Sequence, residues 1–415
     1  MTGTWLLKPG ELTLKGENRK CFEGTLKNNI RRLFASFENN VKFKFTAGRY
    51  YIQAPEEKTN EVERILSRLI GISGWAKTAA CEKKPELIFA LCIEEGKKLL
   101  KQGIKTFKIE AKRTDKSFPL SSYELCCKAG DAVAQAVSGL EVNIPSPQDV
   151  IRIEIREKAL IYSGSKKGIG GLPVGTAGRG LLLLSGGIDS PVAGFLMASR
   201  GMIIDAIHFH SYPYTSLEAK QKVIKLSQIT GEYCMGMRLY IINFTKVQMR
   251  IKERAPAPWT TILLRMAMMD ACAKTADKLK SKAVITGESL SQVASQTIEN
   301  LTCTQSRISL PVLRPLIGFN KEEIIAKAKK IGTYETSIQP FADCCTLFSP
   351  VHPVLHGKTD EAAALYKTLD LEPLIAEALE NFELAGSQKE THTAERNIFI
   401  DNKQNKNAER FLPPL

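Results

Sequence analysis

Two short stretches of the 415-residue chain combine residue types that could carry chemistry. The first is the loop Ser185-Gly186-Gly187-Ile188-Asp189-Ser190, called loop 185–190 below, and the second contains Cys344-Cys345. Glycines let a backbone approach a ligand closely, and the free N–H groups at a helix start favour an anion. A loop cysteine with polar and basic neighbours is a candidate for a reactive thiolate. The sequence therefore predicts a phosphate site and a second site suited to sulfur chemistry.

Loop 185–190 lies between a predicted strand and a predicted helix. The apolar run 181–184 is typical of a buried parallel strand, and helical spacing of apolar residues begins after Pro191. We expect Ser190 to cap this helix and Pro191 to occupy its first turn. The Walker pattern Gly-x-x-x-x-Gly-Lys-[Ser/Thr] is absent from the sequence. The alternative interpretation is an ordinary strand–turn–helix without a ligand.

The six residues of loop 185–190 resemble the pyrophosphate-binding loop, Ser-Gly-Gly-x-Asp-Ser, of the ATP pyrophosphatases. This resemblance implies an enzyme that cleaves ATP between its α and β phosphates and activates a substrate as an adenylate.

Strand and helix patterns alternate through the second half of the chain. Strands are expected at 181–184, 202–209, 238–244 and 282–287, and helices at 191–200, 217–230, 259–280 and 320–331. This alternation predicts a doubly wound parallel sheet that binds its ligand at the carboxyl ends of the strands. His208 and Phe209 end the second strand, where a backbone and aromatic edge could hold adenine. For His208 and His210, packing or surface positions outweigh metal binding, because no carboxylate or cysteine accompanies them.

Composition and charge restrict the function classes. A hydrophobic fraction of 43% and a charged fraction of 25% are typical of a soluble globular protein, and no apolar run reaches the roughly 20 residues that span a bilayer. The start lacks a signal peptide, so we expect a cytoplasmic protein. Ten cysteines contain no C-x-x-C pair, which argues against a zinc ribbon or a thioredoxin-like motif. The net charge of +14 favours a polyanionic partner, with a merely basic surface as the alternative.

The first half of the chain concentrates this positive charge. The segment from Lys8 to Arg49, a predicted small α/β unit, contains ten basic residues and only four acidic ones. Residues 60–165 then read helix, strand, helix, strand. Between a strand and a helix of that region, Lys112, Arg113, Lys116 and Phe118 combine three cations with an aromatic ring. This combination suits phosphate contact and base stacking.

Residues 60–165 resemble a THUMP domain, an RNA-binding module, through the segment Arg-Thr-x-Lys-x-Phe-Pro at 113–119. Residues 1–59 resemble the ferredoxin-like domain that precedes it in the tRNA 4-thiouridine synthetases (tRNA sulfurtransferases, the ThiI family). The phrase Gly-Glu-Leu-Thr-Leu-Lys-Gly-Glu-Asn-Arg at 10–19 matches the amino-terminal signature of that family, although Lys8-Pro9 stands where Arg-Tyr is usual. The resemblance implies an α/β multidomain protein: a ferredoxin-like domain (1–59), a THUMP domain (60–165), a Gly-rich linker (166–180), a doubly wound ATP pyrophosphatase (PP-loop) domain (181–385) and a flexible tail (386–415). The short form, without a rhodanese domain, is expected.

The family resemblance also implies roles for individual residues. The positions that match its ATP site are Leu183, Leu184, Ser185, Gly186, Gly187, Asp189, Ser190, His208, Phe209, Arg265, Gly287 and Gln296. Asp189 would hold Mg²⁺ or orient phosphate, and Lys321 would offset charge at the α-phosphate. Cys345 matches the sulfur-transfer cysteine of the family. Cys344 would resolve a disulfide or simply pack.

The implied reaction is adenylation of O4 of uridine 8 in tRNA, followed by replacement of that oxygen by persulfide sulfur to give 4-thiouridine. ATP and Mg²⁺ are the implied cofactors, with no separate protein metal site. The implied partners are tRNA and a cysteine desulfurase. Sulfur transfer to the thiazole-pathway carrier protein of thiamine synthesis and homodimer formation are left open. The alternatives are another pyrophosphatase, such as a 2-thiolating tRNA enzyme or an ammonia-using ligase, and an RNA-binding protein with an inactive ATP site.

Overall fold

The computed structural model describes residues 2–11, 18–341 and 350–386. The chain divides into two compact units, Met1–Pro173 and Val174–Leu415, which are considered separately. None of the described helices is long and apolar enough to cross a membrane. Each unit buries its own apolar cluster, so each has a core that can support it.

The first unit contains two five-stranded sheets. Its elements, in chain order, are β1 (Thr2–Pro9), α1 (Arg19–Leu33), β2 (Lys42–Thr46), β3 (Arg49–Pro55), α2 (Thr59–Arg68), β4 (Ile72–Lys77), β5 (Ala79–Cys81), α3 (Pro85–Lys101), β6 (Thr106–Arg113), α4 (Ser122–Ala136), β7 (Glu141–Val142), β8 (Asp149–Ile155), β9 (Ala159–Tyr162) and β10 (Lys166–Lys167). The first sheet has the strand order β10-β4-β1-β3-β2, and the second has the order β5-β9-β8-β6-β7.

The first sheet extends beyond the predicted domain boundary at 59/60. Strand β4 pairs antiparallel with β1, and β10 pairs antiparallel with β4, so the expected boundary lies inside this fold. The Gly-rich stretch is also tied to the sheet, because the N–H groups of Gly168 and Gly170 donate to the carbonyls of Ser73 and Ile72. A Cβ at Gly168 would lie 2.3 Å from the Ile72 oxygen. Helical periodicity shows that a segment is helical but not which sheet it packs on, and this accounts for the error.

The second sheet of this unit packs against α3 and α4. Its core includes Ile88, Leu99, Leu125 and Ile153, at the helical and alternating positions that the sequence indicates. Helix α4 begins with a capping box in which Ser121 and Glu124 each accept the backbone N–H of the other. The predicted alternation of helix and strand in this region is present as α3, β6, α4 and β8, whereas β4, β5, β7 and β9 were not predicted.

The second unit contains one six-stranded sheet. Its elements are β11 (Arg179–Leu183), α5 (Asp189–Ser199), β12 (Ile203–His210), α6 (Leu217–Gly231), β13 (Arg238–Asn243), α7 (Thr245–Arg254), α8 (Thr260–Lys278), β14 (Ala283–Ile285), α9 (Ile298–Gln305), β15 (Val312–Leu313), α10 (Lys321–Ile331), α11 (Tyr334–Ser337), α12 (Thr359–Thr368), α13 (Glu372–Glu380) and β16 (Glu383–Gly386).

The strand order of this sheet is β15-β14-β11-β12-β13-β16. Strands β11 to β15 pair in parallel, and β16 pairs antiparallel with β13. The chain leaves β11 toward β12 and later returns to its other side with β14, so the order reverses at β11. A doubly wound sheet binds its ligand at such a reversal, outside the carboxyl ends of the strands. The predicted parallel sheet is therefore confirmed, with loop 185–190 at this position.

Five elements of the second unit were not predicted, namely α7, α9, β15, α11 and β16. Helix α7 is rich in lysine and arginine, and α9 has only eight residues, so each contains few apolar residues that would mark it as a helix. Strand β16 occupies 383–386, across the expected boundary between the ATP pyrophosphatase domain and the tail. It is an edge strand held by backbone pairing with β13, and backbone pairing leaves little trace in side-chain pattern.

Candidate functional site

Loop 185–190 is closed by its own serine hydroxyls. The backbone N–H of Ser185 donates to Ser190 Oγ at 3.0 Å, and the N–H of Gly187 donates to Ser185 Oγ at 3.3 Å. Helix α5 begins at Asp189, and its capping position is Ile188, without a side-chain cap. The prediction that Ser190 caps this helix is therefore wrong. The Ser190 hydroxyl lies inside the first turn, where it is drawn back to Ser185 and shapes the loop.

Asp189 is held by two side chains from distant parts of the unit. Lys321 Nζ lies 2.6 Å from Asp189 Oδ1, and Gln292 Nε2 donates to Asp189 Oδ2 at 3.0 Å. Lys321 is the first residue of α10, and Asn320 caps that helix in a reciprocal capping box with Glu323. The cap fixes where α10 starts, and so it places the ammonium of Lys321 beside loop 185–190.

Gly287 packs directly against the start of α5. A Cβ at this position would lie 2.7 Å from the Ser190 nitrogen and 2.9 Å from the Asp189 carbonyl carbon. The backbone after β14 thus approaches the start of α5 so closely that only glycine fits at this position. The sequence predicted a glycine where a nucleotide approaches. The structure adds that this glycine packs the segment after β14 closely against the start of α5.

A cavity of 190 Å³ opens at the carboxyl ends of β11, β12 and β14. Its lining is Leu183, Leu184, Ser185, Asp189, Ser190, Ile207, His208, Phe209, Arg265, Met268, Met269, Thr286, Gly287, Glu288, Gln296 and Thr304. Ten of the twelve residues predicted for the ATP site are among them, and the other two, Gly186 and Gly187, belong to loop 185–190. The structure therefore brings the predicted set together in one place.

The second strand contributes a buried histidine and an aromatic ring to this cavity. His208 Nδ1 lies 2.9 Å from the Leu184 carbonyl oxygen, which fixes the imidazole against the neighbouring strand. Phe209 packs on Phe244 with ring centroids 4.6 Å apart. Burial, with the nearby His208 and Lys220, lowers the pKa of His210 to about 4, so this imidazole is neutral at physiological pH. The described residues contain no cluster of three or more His, Cys, Asp or Glu that could hold a metal ion.

Gln296 presents an unsatisfied amide oxygen at the cavity. It lies in a short 3₁₀ turn, Ala294–Gln296. The residue is 8% exposed, and its Oε1 has no hydrogen-bond partner within the part of the chain that the structure describes. Buried polar groups are normally paired, so such an oxygen is suited to accept from a bound molecule.

Sequence reasoning missed a buried carboxylate in the cavity wall, that of Glu288. Glu288 forms ion pairs with Arg265 and with Arg314, whose Nε lies 2.7 Å from Glu288 Oε2, and it also accepts from the Thr286 hydroxyl at 2.8 Å. Burial alone would raise the pKa of Glu288, but the two guanidinium groups hold it below its usual value. Arg265, predicted as an anion ligand, is therefore oriented by Glu288. The only sequence feature that could have indicated Glu288 is its position directly after Gly287.

The four residues predicted to contact RNA fall into two pairs in the first unit. Lys112 and Lys116 are exposed. Phe118 is 4% exposed and packs in the core, and Arg113 Nη1 donates to the Phe118 carbonyl at 2.9 Å. A ring inside a core cannot stack on a base, so this placement contradicts the predicted role of Phe118. The apolar environment of this ring was hidden by its polar sequence neighbours.

The two cysteines singled out for sulfur chemistry, Cys344 and Cys345, lie outside the described residues. Among the described cysteines, Cys92 and Cys234 are buried, and burial raises the pKa of each thiol to about 12. Thiols of this kind are unreactive, because the thiolate is the nucleophile. These two buried thiols are therefore not candidates for sulfur chemistry.

Three family models match successive parts of the chain. The ThiI ferredoxin-like domain matches residues 4–76, the THUMP domain matches residues 82–163, and the thiamine biosynthesis protein (ThiI) model matches residues 175–371.

Similar proteins match along most of their length. A probable tRNA sulfurtransferase of Caldanaerobacter subterraneus subsp. tengcongensis is 46% identical, covering 92% of this chain and 98% of its own. A probable tRNA sulfurtransferase of Treponema pallidum (strain Nichols) is 45% identical, and the match covers 90% of this chain and 93% of the relative. The crystal structure of a 4-thiouridine synthetase–RNA complex with bound ATP matches with a TM-score of 0.86 at 35% identity, covering 94% and 100%.

Proposed function

The chain belongs to the ThiI family of tRNA sulfurtransferases, and from this premise we propose that it uses ATP to convert a uridine of tRNA into 4-thiouridine. The observation that carries the proposal is the pairing of Asp189 with Lys321 beside loop 185–190, at the mouth of the cavity. A carboxylate and an ammonium beside the start of a helix suit the charge changes of an adenylation reaction.

We infer one orientation for ATP at this cavity. The start of α5, which is the positive end of the helix dipole, favours the phosphates. His208 and Phe209, near the carboxyl end of β12, offer an edge for adenine. The amide of Gln296 faces the same space. The match to a relative with bound ATP supports this assignment.

Mg²⁺ fits as a companion of ATP rather than as a resident metal. Mg²⁺ commonly takes one or two carboxylates together with substrate phosphates, and Asp189 supplies one carboxylate here. When bound, the ion would neutralise phosphate charge. The carboxylate of Asp189 would hold it or orient the phosphates, and Gln292 would fix the carboxylate.

In the first half-reaction, O4 of the uridine attacks the α-phosphorus and pyrophosphate leaves with the electron pair of the broken P–O bond. Negative charge develops on the α-phosphate and on the leaving group. The Lys321 ammonium lies where it can offset that charge, because α10 presents it beside Asp189. Arg265, oriented by Glu288, adds a second cation at the cavity wall.

In the second half-reaction, the terminal sulfur of a persulfide on Cys345 attacks C4 of the adenylated uridine, and AMP leaves. The product is a disulfide between the base and Cys345. A second thiolate must then attack the Cys345 sulfur, which releases the 4-thio base and leaves a protein disulfide. Cys344 or a thiol of a donor protein fills this role. The assignment to Cys345 rests on the sequence.

Uridine 8 of tRNA is the proposed target, and a cysteine desulfurase is the proposed persulfide donor. We further propose that the first unit binds tRNA through its positive charge, with Lys112 and Lys116 among the phosphate contacts. Sulfur transfer to the thiazole-pathway carrier protein and homodimer formation are separate questions for experiment.

The test uses tRNA transcript, Mg·ATP, a cysteine desulfurase and cysteine, with nucleoside mass spectrometry of the product. Wild-type protein and a C21S variant, which alters an exposed cysteine of α1, should form 4-thiouridine. A C345S variant should form none while still releasing pyrophosphate. A 2-thio nucleoside from the wild type, or full activity of C345S, would contradict the proposal.

A further inference from the structure

Lys222 on α6 is a buried lysine that the chemistry described above does not use. The residue is 6% exposed. Its Nζ donates to the carbonyl oxygen of Gln339 at 2.9 Å and to that of Phe341 at 3.4 Å. A buried ammonium is costly unless hydrogen bonds compensate its lost hydration. These two carbonyls provide such compensation, so the side chain binds the stretch that follows α11.

The same side chain also contacts loop 185–190. A Cβ built on Gly186 would lie 3.4 Å from Lys222 Cε, 3.5 Å from Nζ and 3.6 Å from Cδ. The alkyl chain of Lys222 therefore passes along the loop backbone, and its ammonium reaches Gln339 and Phe341. One residue thus joins the phosphate-binding loop to the backbone just before Cys344-Cys345.

We propose that Lys222 is a positioning residue that couples adenylation to sulfur transfer. The inference rests on the proposed function. Cys345 is four residues after Phe341, and a chain of four residues spans at most about 14 Å. By anchoring Phe341 beside loop 185–190, Lys222 limits how far the Cys345 thiol can lie from the loop at which the uridine is activated.

The coupling has a chemical consequence that can be measured. An adenylated uridine that does not meet a persulfide is open to water, which attacks C4 and releases AMP while restoring uridine. Each such event consumes one ATP without forming a thiolated base. Loss of the Lys222 anchor should therefore lower the yield of 4-thiouridine per pyrophosphate released, and the ATP affinity should change little.

The test compares K222M, which keeps the alkyl length without the ammonium, with K225M on the exposed side of α6. The full-length proteins react with tRNA, Mg·ATP, a cysteine desulfurase and cysteine, and pyrophosphate and 4-thiouridine are both counted. We expect K222M to lower the ratio of 4-thiouridine to pyrophosphate at least fivefold, with the Kd for ATP within twofold of wild type. K225M should keep the wild-type ratio. K222Q, which retains a donor for one carbonyl, should give an intermediate ratio and replaces K222M if that variant does not fold.

The outcomes separate this inference from the proposed function. An unchanged ratio in K222M, or equal losses of pyrophosphate and 4-thiouridine, would overturn the coupling role while leaving the proposed function intact. A wild-type protein that forms no 4-thiouridine would instead remove the proposed function itself. Inorganic sulfide, which needs no protein persulfide, should restore the ratio in K222M. Failure of sulfide to do so would place the defect at the adenylate and contradict a role in positioning.

Discussion

Lys321 Nζ lies 2.6 Å from Asp189 Oδ1, although 132 positions separate the two residues in the chain. The side chain of Lys321 is 42% exposed and that of Asp189 is 21% exposed. Ion pairs at such exposure contribute little to stability, typically up to about 1 kcal/mol. The pair therefore matters for the charge that it presents to a ligand rather than for the fold.

The first prediction concerns this pair. A K321M variant should lower the rate of tRNA-dependent pyrophosphate release by about 100-fold, the usual loss when one preorganised charge is removed from a transition state. Its melting temperature should stay close to that of wild type. K330M, in the exposed last turn of α10, is the matched control and should retain its rate. A K321M protein with a wild-type rate would exclude Lys321 from the adenylation step.

The second prediction concerns the close approach at Gly287. A Cβ there would lie 2.7 Å from the Ser190 nitrogen, so a G287A variant must move the start of α5 or the strand end after β14. We expect weaker ATP binding by at least tenfold, measured by calorimetry, and a loss of stability of about 1–3 kcal/mol from overpacking. Gly318 is the matched control, because a Cβ there would meet no atom of the described residues within 4 Å. Equal ATP affinities of G287A and G318A would contradict the prediction.

Loop 185–190 could be predicted from the sequence because its signal is local. A buried strand, a glycine pair and the start of a helix follow one another within a dozen residues, and each has its own pattern. Only the details differed. Ser190 turns back to Ser185 instead of capping α5, since a hydroxyl in the first turn can reach either partner and spacing alone does not decide between them.

Glu288, Gln292 and Lys222 could not be predicted, because their roles arise from contacts across the fold. Gln292 and Asp189 are 103 positions apart, and Lys222 and Gln339 are 117 apart. The sequence does not distinguish a buried charged residue from an exposed one, because the partners of the buried residue are distant along the chain. The same limit explains Phe118, where a basic and polar neighbourhood concealed a core position.

The third prediction concerns the buried carboxylate of Glu288. An E288Q variant removes the charge between Arg265 and Arg314 and leaves two guanidinium groups largely buried. Breaking such a pair costs about 3–5 kcal/mol, so the thermal unfolding of the second unit should shift strongly to lower temperature. E253Q, at an exposed position of α7, is the control. If E288Q unfolds like E253Q, Glu288 does not hold the two arginines.

The fourth prediction concerns the pH dependence of stability through His210. Burial, together with His208 and Lys220, lowers its pKa to about 4, against about 6.5 in an unfolded chain. Between these values the unfolded state binds a proton that the folded state does not. The stability associated with the neutral imidazole is therefore fully present above pH 6.5 and is lost as the pH falls toward 4.

Thermal unfolding of wild type and H210Q between pH 4 and 8 tests this sign. The difference between their melting temperatures should change across the window from pH 6.5 to pH 4, with H210Q the less sensitive protein. H356Q alters a histidine whose side chain is 75% exposed, and it should follow the wild-type curve. Parallel curves for wild type and H210Q would show that His210 is not buried in its neutral form.

The fifth prediction separates RNA contact from packing in the first unit. Lys112 and Lys116 are exposed, so a K112M/K116M double variant should bind tRNA more weakly, with the slope of log K against log salt reduced by about 2 if both contact phosphate. The stability of the double variant should be unchanged.

The F118A variant removes a buried ring and should instead lower the free energy of unfolding by about 3–5 kcal/mol. The salt slope of its tRNA binding, measured below its melting temperature, should equal that of wild type. K105M, at an exposed lysine immediately before β6, controls for general loss of charge and should change the slope less. A double variant with the wild-type slope would move the phosphate contacts elsewhere on the first unit. A reduced slope in F118A would return the ring to the RNA interface.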